Sequence, residues 1–308
     1  MGNFTQFSYF ILSGYFDTGN YEYFSFIIVM LLYIFTVCAN LLLIVVICLN
    51  RSLHEPMYIF LCSLFVNELF GSTIMYPFLL LQILSDIHTI SFSFCYLQIF
   101  CVYTYGIVEF MNLTAMSYDR YLAICCPLQY RKHMSAKNIA ILITLIWLYP
   151  MLEVITMLSL SGTLQLCGNI INKVFCTSYS IVNLACSDTS YFNINEIIGI
   201  ILLLCVPVAI IFYTYIRILK VCFSGSKQTK QKAVSTCTPH LASLLNYSFG
   251  AFFDTMQTRF NLSSVPNMLR IFLSLYWLTC QPIFNPLLYG LKMSKIRSLC
   301  KNLVFGNK

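Results

Sequence analysis

Charge is what this chain has least of. Only 9% of its 308 residues are Asp, Glu, Lys or Arg, where soluble domains carry about 25%, so water cannot be the main solvent of the folded chain. Basic residues are missing altogether from Met1 to Asn50, and the first 23 residues lack the basic start and apolar core of a cleavable signal. That leaves the first long apolar run as the expected targeting signal. Linkers rich in Pro, Gly or Ser, charge blocks, low-complexity tracts and fixed-period repeats are also missing, so a single domain over residues 1–308 is the expectation. No C-x-x-C pair occurs among the 15 cysteines, which removes the common zinc and dithiol redox sites. H-E-x-x-H, G-x-S-x-G and G-x-x-x-x-G-K-[ST] are absent too, and no enzyme is expected.

Apolar residues make up 59% of the chain. A helix that crosses a bilayer needs about 20 of them in a row. Seven stretches qualify, near 24–49, 57–85, 95–124, 138–160, 195–222, 235–258 and 268–291. The expected fold class is therefore an all-α membrane protein, a seven-helix bundle. Lysine and arginine set its orientation. Arg51, Arg131, Lys132, Lys137, Arg217, Lys220 and the basic residues from Lys227 to Lys232 and from Lys292 to Lys308 all fall on the side away from the N-terminus. Lys173, Arg259 and Arg270 fall on the near side. The tail 1–23 is thus expected outside and the tail 292–308 in the cytoplasm, with the formal charge of +7 facing anionic lipid and a partner, not nucleic acid. Asn3-Phe4-Thr5 is a glycosylation acceptor on the outer tail. Asn261-Leu262-Ser263 is another, close to the membrane.

Most cysteines lie within spans, where they read as small packing residues. Cys95, at the outer start of the third span, and Cys167, Cys176 and Cys186 in the long outer loop face an oxidising exterior and read as two disulfides. Three pairings are open on these residues alone.

Ionisable groups at membrane depth cost a few kcal/mol each and are functional candidates. Glu68 and Glu109 sit at comparable depth on neighbouring spans, where two facing carboxylates would share a proton or hold a cation. Asn40, Asn246 and Asn285 are amides that could complete this polar centre. Asp119 and Arg120 stand near the cytoplasmic end of the third span. Pro77, Pro150, Pro207, Pro239, Pro282 and Pro286 allow kinks, which suits a bundle that changes shape.

At this point motifs accumulate. "SYDRYLAICCPLQY" (Ser117 to Tyr130) resembles the cytoplasmic end of helix three in rhodopsin-like G-protein-coupled receptors, and most closely the M-A-Y-D-R-Y-x-A-I-C-x-P-L-x-Y wording of the olfactory (odorant) receptors. "PMYIFLCSLFVNEL" (Pro56 to Leu69), "KAVSTCTPHL" (Lys232 to Leu241) and "PIFNPLLYGLK" (Pro282 to Lys292) resemble that family's motifs in helices two, six and seven. "LCGN…VFCTS…LACSDT" keeps its three loop cysteines in order. Departures exist: Glu68 stands for the usual aspartate of the sodium site that the resemblance implies, with Glu109 and Asn285 beside it, Ala39-Asn40 stands for Gly-Asn, and Tyr247 comes one position early in helix six.

The resemblance implies a receptor in the plasma membrane that binds a small-molecule odorant and activates a stimulatory heterotrimeric G protein, raising cAMP. It implies that Asp119 clamps Arg120 at rest, and that Arg120, with Tyr121 beside it, meets the α subunit on activation. Tyr215 and Tyr289 would support the open cleft together with Asn285 and Pro286, while Lys232 and His240 lie on the moving face of helix six. It pairs Cys95 with Cys176 and Cys167 with Cys186, and makes Ser294 to Lys301 an amphipathic helix along the inner leaflet. By position the pocket would be lined by Val102, Tyr103, Gly106 and Ile107, by Gly199, Ile200 and Leu203, by Ala251, Asp254 and Thr255, and by Tyr276 and Thr279. Asp254 is the charge expected near it, suggesting a basic or hydroxylated ligand.

Other classes fit less well. A transporter would show inverted repeats or paired broken spans, and neither occurs. An opsin needs a lysine in the seventh span, where Met268 to Leu291 has none. Among non-olfactory receptors, those for biogenic amines use an aspartate where this chain reads Cys101-Val102-Tyr103.

Overall fold

The computed structural model describes residues 8–15, 22–224, 227–259 and 267–305. Each apolar run becomes a helix, and turn chemistry sets where it begins. Helix α1 spans Glu22–Leu49, and a single 3-10 turn, Arg51–Leu53, leads into α2, Pro56–Ile83. Pro56 sits in the first turn, where its missing N–H would have had no helical partner anyway. Helix α3, Phe92–Cys125, opens on Ser91, whose hydroxyl accepts from the Phe94 N–H at 3.4 Å. The short α4, Tyr130–His133, precedes α5, Ala136–Ser161, which Ser135 caps in the same way. Within the following loop lies α6, Ser178–Asn183.

The fifth span is α7, Ser190–Ile200, a π-helical segment Ile201–Cys205, and α8, Val206–Ser224. Pro207 has no N–H to offer the carbonyl of Leu203, and the widened turn lies directly before it. Helices α9, Lys227–Arg259, α10, Asn267–Lys292, and α11, Ser294–Phe305, complete the chain.

Six of these segments are long and apolar enough to cross a bilayer: α1, α2, α3, α5, the run 190–224 and residues 269–292 of α10. The seventh span is α9, which falls short of that measure among the described residues. Its lysine-bearing start and the Ser, Thr, His and Asn residues along it dilute its apolar content. It is held by packing on α10, α3 and α8. Outward side chains such as Leu31, Leu145 and Phe212 are exposed and apolar, as lipid-facing residues should be.

One element had no signature in the sequence. Tyr9–Leu12 forms strand β1, the centre of a three-stranded sheet between β2, Thr89–Ser91, and β3, Ile170–Ile171. It runs antiparallel to β2 and parallel to β3. Phe10 and Leu12 point into the core while Tyr9 and Ile11 point out, the two-residue alternation of a strand with one covered face. The long loop is thereby stitched to the N-terminal segment. Disulfides Cys95–Cys176 and Cys167–Cys186 fasten it further.

Candidate functional site

The residues singled out by the sequence gather at three depths. Farthest from the disulfides, Arg120 Nη2 lies 3.3 Å from Asp119 Oδ2, and Tyr130 donates its hydroxyl to Asp119 Oδ1 at 2.7 Å. Asp119 is almost fully buried and Arg120 about one-sixth exposed, so the guanidinium stays within reach of the surface. Above them His240 joins three helices. Its Nε2 is 2.8 Å from the Leu113 carbonyl on α3. A carbonyl only accepts, so Nε2 carries the proton and Nδ1 accepts from the hydroxyl of Tyr215 on α8. Helix α9 is tied by one imidazole to both neighbours. Tyr289 is fully buried with its ring edge-on to Phe65, and Tyr121 packs against Tyr118 and Tyr213. The side chain of Lys232 lies outside the described residues, as does Asn3.

At mid-depth Glu68 and Glu109 are completely buried and meet at one amide. Asn285 Nδ2 donates to Glu68 Oε1 at 2.5 Å and to Glu109 Oε1 at 2.8 Å. Tyr105 donates to Glu68 Oε2 at 3.0 Å, and Asn67 and Gln281 donate to Glu109. Ser243 donates to Asn285 Oδ1 at 2.6 Å and so brings α9 into the cluster. Sequence reasoning named the two acids and Asn285 but missed Asn67, Tyr105, Ser243 and Gln281, which read as ordinary polar residues in apolar runs. Of the other amides proposed, Asn40 instead donates to the Pro282 carbonyl, and Asn246 reaches the cluster only through Gln281. Glycine makes room here: a Cβ on Gly71 would lie 2.5 Å from the ring of Tyr105.

Toward the disulfides lies a cavity of about 240 Å³ between α3, α5, α7 and α9, and a second of about 220 Å³ sharing Tyr103, Gly106, Ile107, Tyr247 and Ala251 with it. Val102, Gly199, Leu203 and Asp254 also line one or the other. The side chains of Ile200 and Thr255 lie outside the described residues. Two expected pocket residues are elsewhere. Tyr276 turns to Asn246, donating to Oδ1 at 2.6 Å, and Thr279 bonds the Leu275 carbonyl of its own helix. Neither lines the cavities, because α10 presents Trp277 there instead. Asp254 also differs from the expectation of a charge awaiting a ligand: Lys173 Nζ lies 2.9 Å from its Oδ1. The disulfide to Cys176 draws that loop lysine over the cavity. The acids missed by the sequence reading are Glu153 and Glu196, both in the larger cavity's wall.

A model of the family described as olfactory receptor matches residues 29–307. The chain belongs to the olfactory receptor family. It is 34% identical to Olfactory receptor 6N1 of Homo sapiens over 301 residues, covering 96% of this chain and 95% of that one. It is 32% identical to Olfactory receptor 10A3 of Homo sapiens, covering 94% and 91%. Among solved structures, squid rhodopsin superposes with a TM-score of 0.72 at 20% identity, over 95% of this chain and 87% of the other, a likeness of fold. The receptor is accordingly a multi-pass membrane protein of a signalling family, not an enzyme.

Joined end to end, the three depths of the receptor form one path. Tyr247 on α9 donates to the Gly106 carbonyl at 2.8 Å beside the cavity, and Trp277 stacks on Tyr105 at 5.8 Å. Tyr105 bonds Glu68, Asn285 bonds both acids, and Ser243 and His240 lie on the same α9.

Proposed function

We propose that the receptor binds a small odorant in the cavity beside Tyr103 and Tyr247 and, in response, opens its cytoplasmic face to a stimulatory heterotrimeric G protein, raising cAMP. The N-terminus lies outside the plasma membrane and the Asp119–Arg120 pair at the cytoplasmic edge. One observation carries this reading: α9 lines the cavity through Tyr247 and Ala251 and is tied at its other half to α3 and α8 through His240. A ligand that prefers a shifted α9 therefore acts against the His240 tie, by as much as its affinities for the two positions differ. Once α9 moves, Arg120 exchanges Asp119 for the G-protein α subunit. The charge pair acts as a latch, a use better suited to it than stabilising the fold.

The centre around Glu68 and Glu109 also suits a sodium ion or a shared proton. Hard cations take oxygen ligands, and both carboxylates are present with an amide whose rotation would exchange Nδ2 for Oδ1 between them. A cation or a shared proton would reduce the charge on the pair, while Asn285 supplies one hydrogen bond to each acid.

Screening odorant pools for cAMP in cells displaying the receptor tests this reading. Arg120→Ala should abolish the response and leave ligand binding within about fivefold, since a contact worth under ~1 kcal/mol changes affinity by no more than that. Ion flux without any G-protein signal would overturn it.

A further inference from the structure

Glu153 is the least provided-for charge near the cavity. It lies about 12 Å from the Ser161 end of α5, at a rise of about 1.5 Å per residue. Among the described residues no hydrogen bond or ion pair engages its carboxylate. A carboxylate at such depth is costly unless something positive meets it. It reaches toward α7, where a Cβ on Gly199 would stand 3.0 Å from Oε1. The same wall carries Glu196. Apart from these acids the larger cavity is chiefly apolar, with Val154, Met157 and Leu203 around it and the rings of Tyr103 and Tyr247 on the α3 and α9 sides. Asp254, which lines the smaller cavity, already has Lys173.

We infer that the cavity takes a protonated amine with an apolar body, its ammonium held by Glu153 and its hydrocarbon against the aliphatic wall. A neutral odorant of equal size would leave the Glu153 carboxylate without a partner, and a carboxylic acid would add repulsion. Aromatic faces at Tyr103 and Tyr247 add a modest attraction for the cation. The anchoring acid stands on α5, away from α3, where Val102 and Tyr103 have no charge to offer. The inference rests on the cavity being the ligand site and names the chemistry of its ligand.

The test uses the full receptor in nanodiscs, with thermal stabilisation as the binding readout and cAMP in cells as the signalling readout. Hexylamine, hexanol and hexanoate serve as probes of equal length. Hexylamine should stabilise the receptor at concentrations at least tenfold below those hexanol requires. Glu153→Gln should erase that preference, and Glu153→Lys should transfer it to hexanoate. Equal potency of amine and alcohol on the unmodified receptor overturns the inference, and this comparison needs no variant to fold. So does an unchanged preference in a folded Glu153→Gln receptor, or no stabilisation by hexylamine up to about 1 mM. Amine-selective stabilisation without cAMP would sink the signalling reading and spare the amine site; a cAMP response without amine preference would do the reverse.

Discussion

The two ends of the bundle are held by different chemistry. At the disulfide-bearing end, the outer one in the proposed orientation, two disulfides, a three-stranded sheet and a buried cluster including Phe10, Phe175 and Trp277 fasten the long loop to α3 and the N-terminal segment. At the inner end, α9 is tied to its neighbours by the hydrogen bonds of His240, and Arg120 is held by Asp119. The outer end cannot rearrange widely without breaking covalent bonds. The inner end rearranges by exchanging contacts worth about 1 kcal/mol each. A ligand with a few kcal/mol of differential affinity is enough to move the second and not the first.

The largest effect should come from unfastening the outer end. The Cys95–Cys176 bond closes a separation of 81 residues, the Cys167–Cys186 bond one of 19. On a chain-entropy account these contribute about 4–5 and about 3 kcal/mol. Cys95→Ser should therefore lower the denaturant midpoint of the purified receptor more than Cys167→Ser, and reduce its delivery to the cell surface more. Equal midpoints for Cys95→Ser and the unmodified receptor would remove the covalent half of the contrast.

Between the ends lies the Glu68–Glu109 centre, where one amide serves two acids. Asn285→Ala withdraws donors at 2.5 and 2.8 Å from two fully buried carboxylates. Hydrogen bonds to charged groups contribute about 1.5–3 kcal/mol, so a loss near 3 kcal/mol is expected in chemical unfolding. Sodium should recover part of it if the carboxylates bind the ion. A salt-independent loss would favour the shared proton.

The contrast between the ends also explains what could be read from the chain beforehand. Bilayer helices announce themselves through long apolar runs, and the observed spans begin and end within a few residues of the expected ones, apart from the fifth and sixth, which start earlier at Ser190 and Lys227. Residues such as Asp119, Asn285 and His240 stood out because the wording around them resembles a family's motifs. The sheet was hidden because β1 is four residues long and its partners lie far away in sequence. The pocket was only partly legible because a helical residue faces inward or outward by rotation, which a run of apolar residues does not encode: α10 turns Trp277 to the cavity and Tyr276 away. Glu153 escaped notice because α5 offered no motif, and Lys173 because pairing it with Asp254 needed the loop's path.

A smaller effect, and a decisive one for the inner end, concerns Tyr215. Its hydroxyl donates to His240 and so ties α9 to α8, a contact that would keep the cleft closed, while the family resemblance makes it a brace of the open cleft. Tyr215→Phe removes a contact of about 1 kcal/mol, which corresponds to roughly a fivefold population shift. If the closed tie dominates, ligand-free cAMP should rise about fivefold. If it falls, the brace outweighs the tie and the inner end is poised by Asp119–Arg120 instead.

The smallest expected effect lies on the inner surface, where Lys295 of α11 meets Glu55 just before α2 at 2.9 Å. Both side chains are more than half exposed, at 52% and 60%. The hydrogen bond and charge of Glu55 raise the lysine above its usual range. A raised lysine contributes stability that is complete below its unfolded value and fades only as pH climbs through the folded one, so nothing should change between pH 6 and 8. Exposed pairs contribute about 0–1 kcal/mol and weaken with salt. Lys295→Ala should therefore shift unfolding by less than ~1 kcal/mol, and by less still at high ionic strength. A larger, salt-insensitive loss would show that α11 fastens the inner end as firmly as the disulfides fasten the outer one, and the division of the bundle into a fixed end and a releasable end would have to be redrawn.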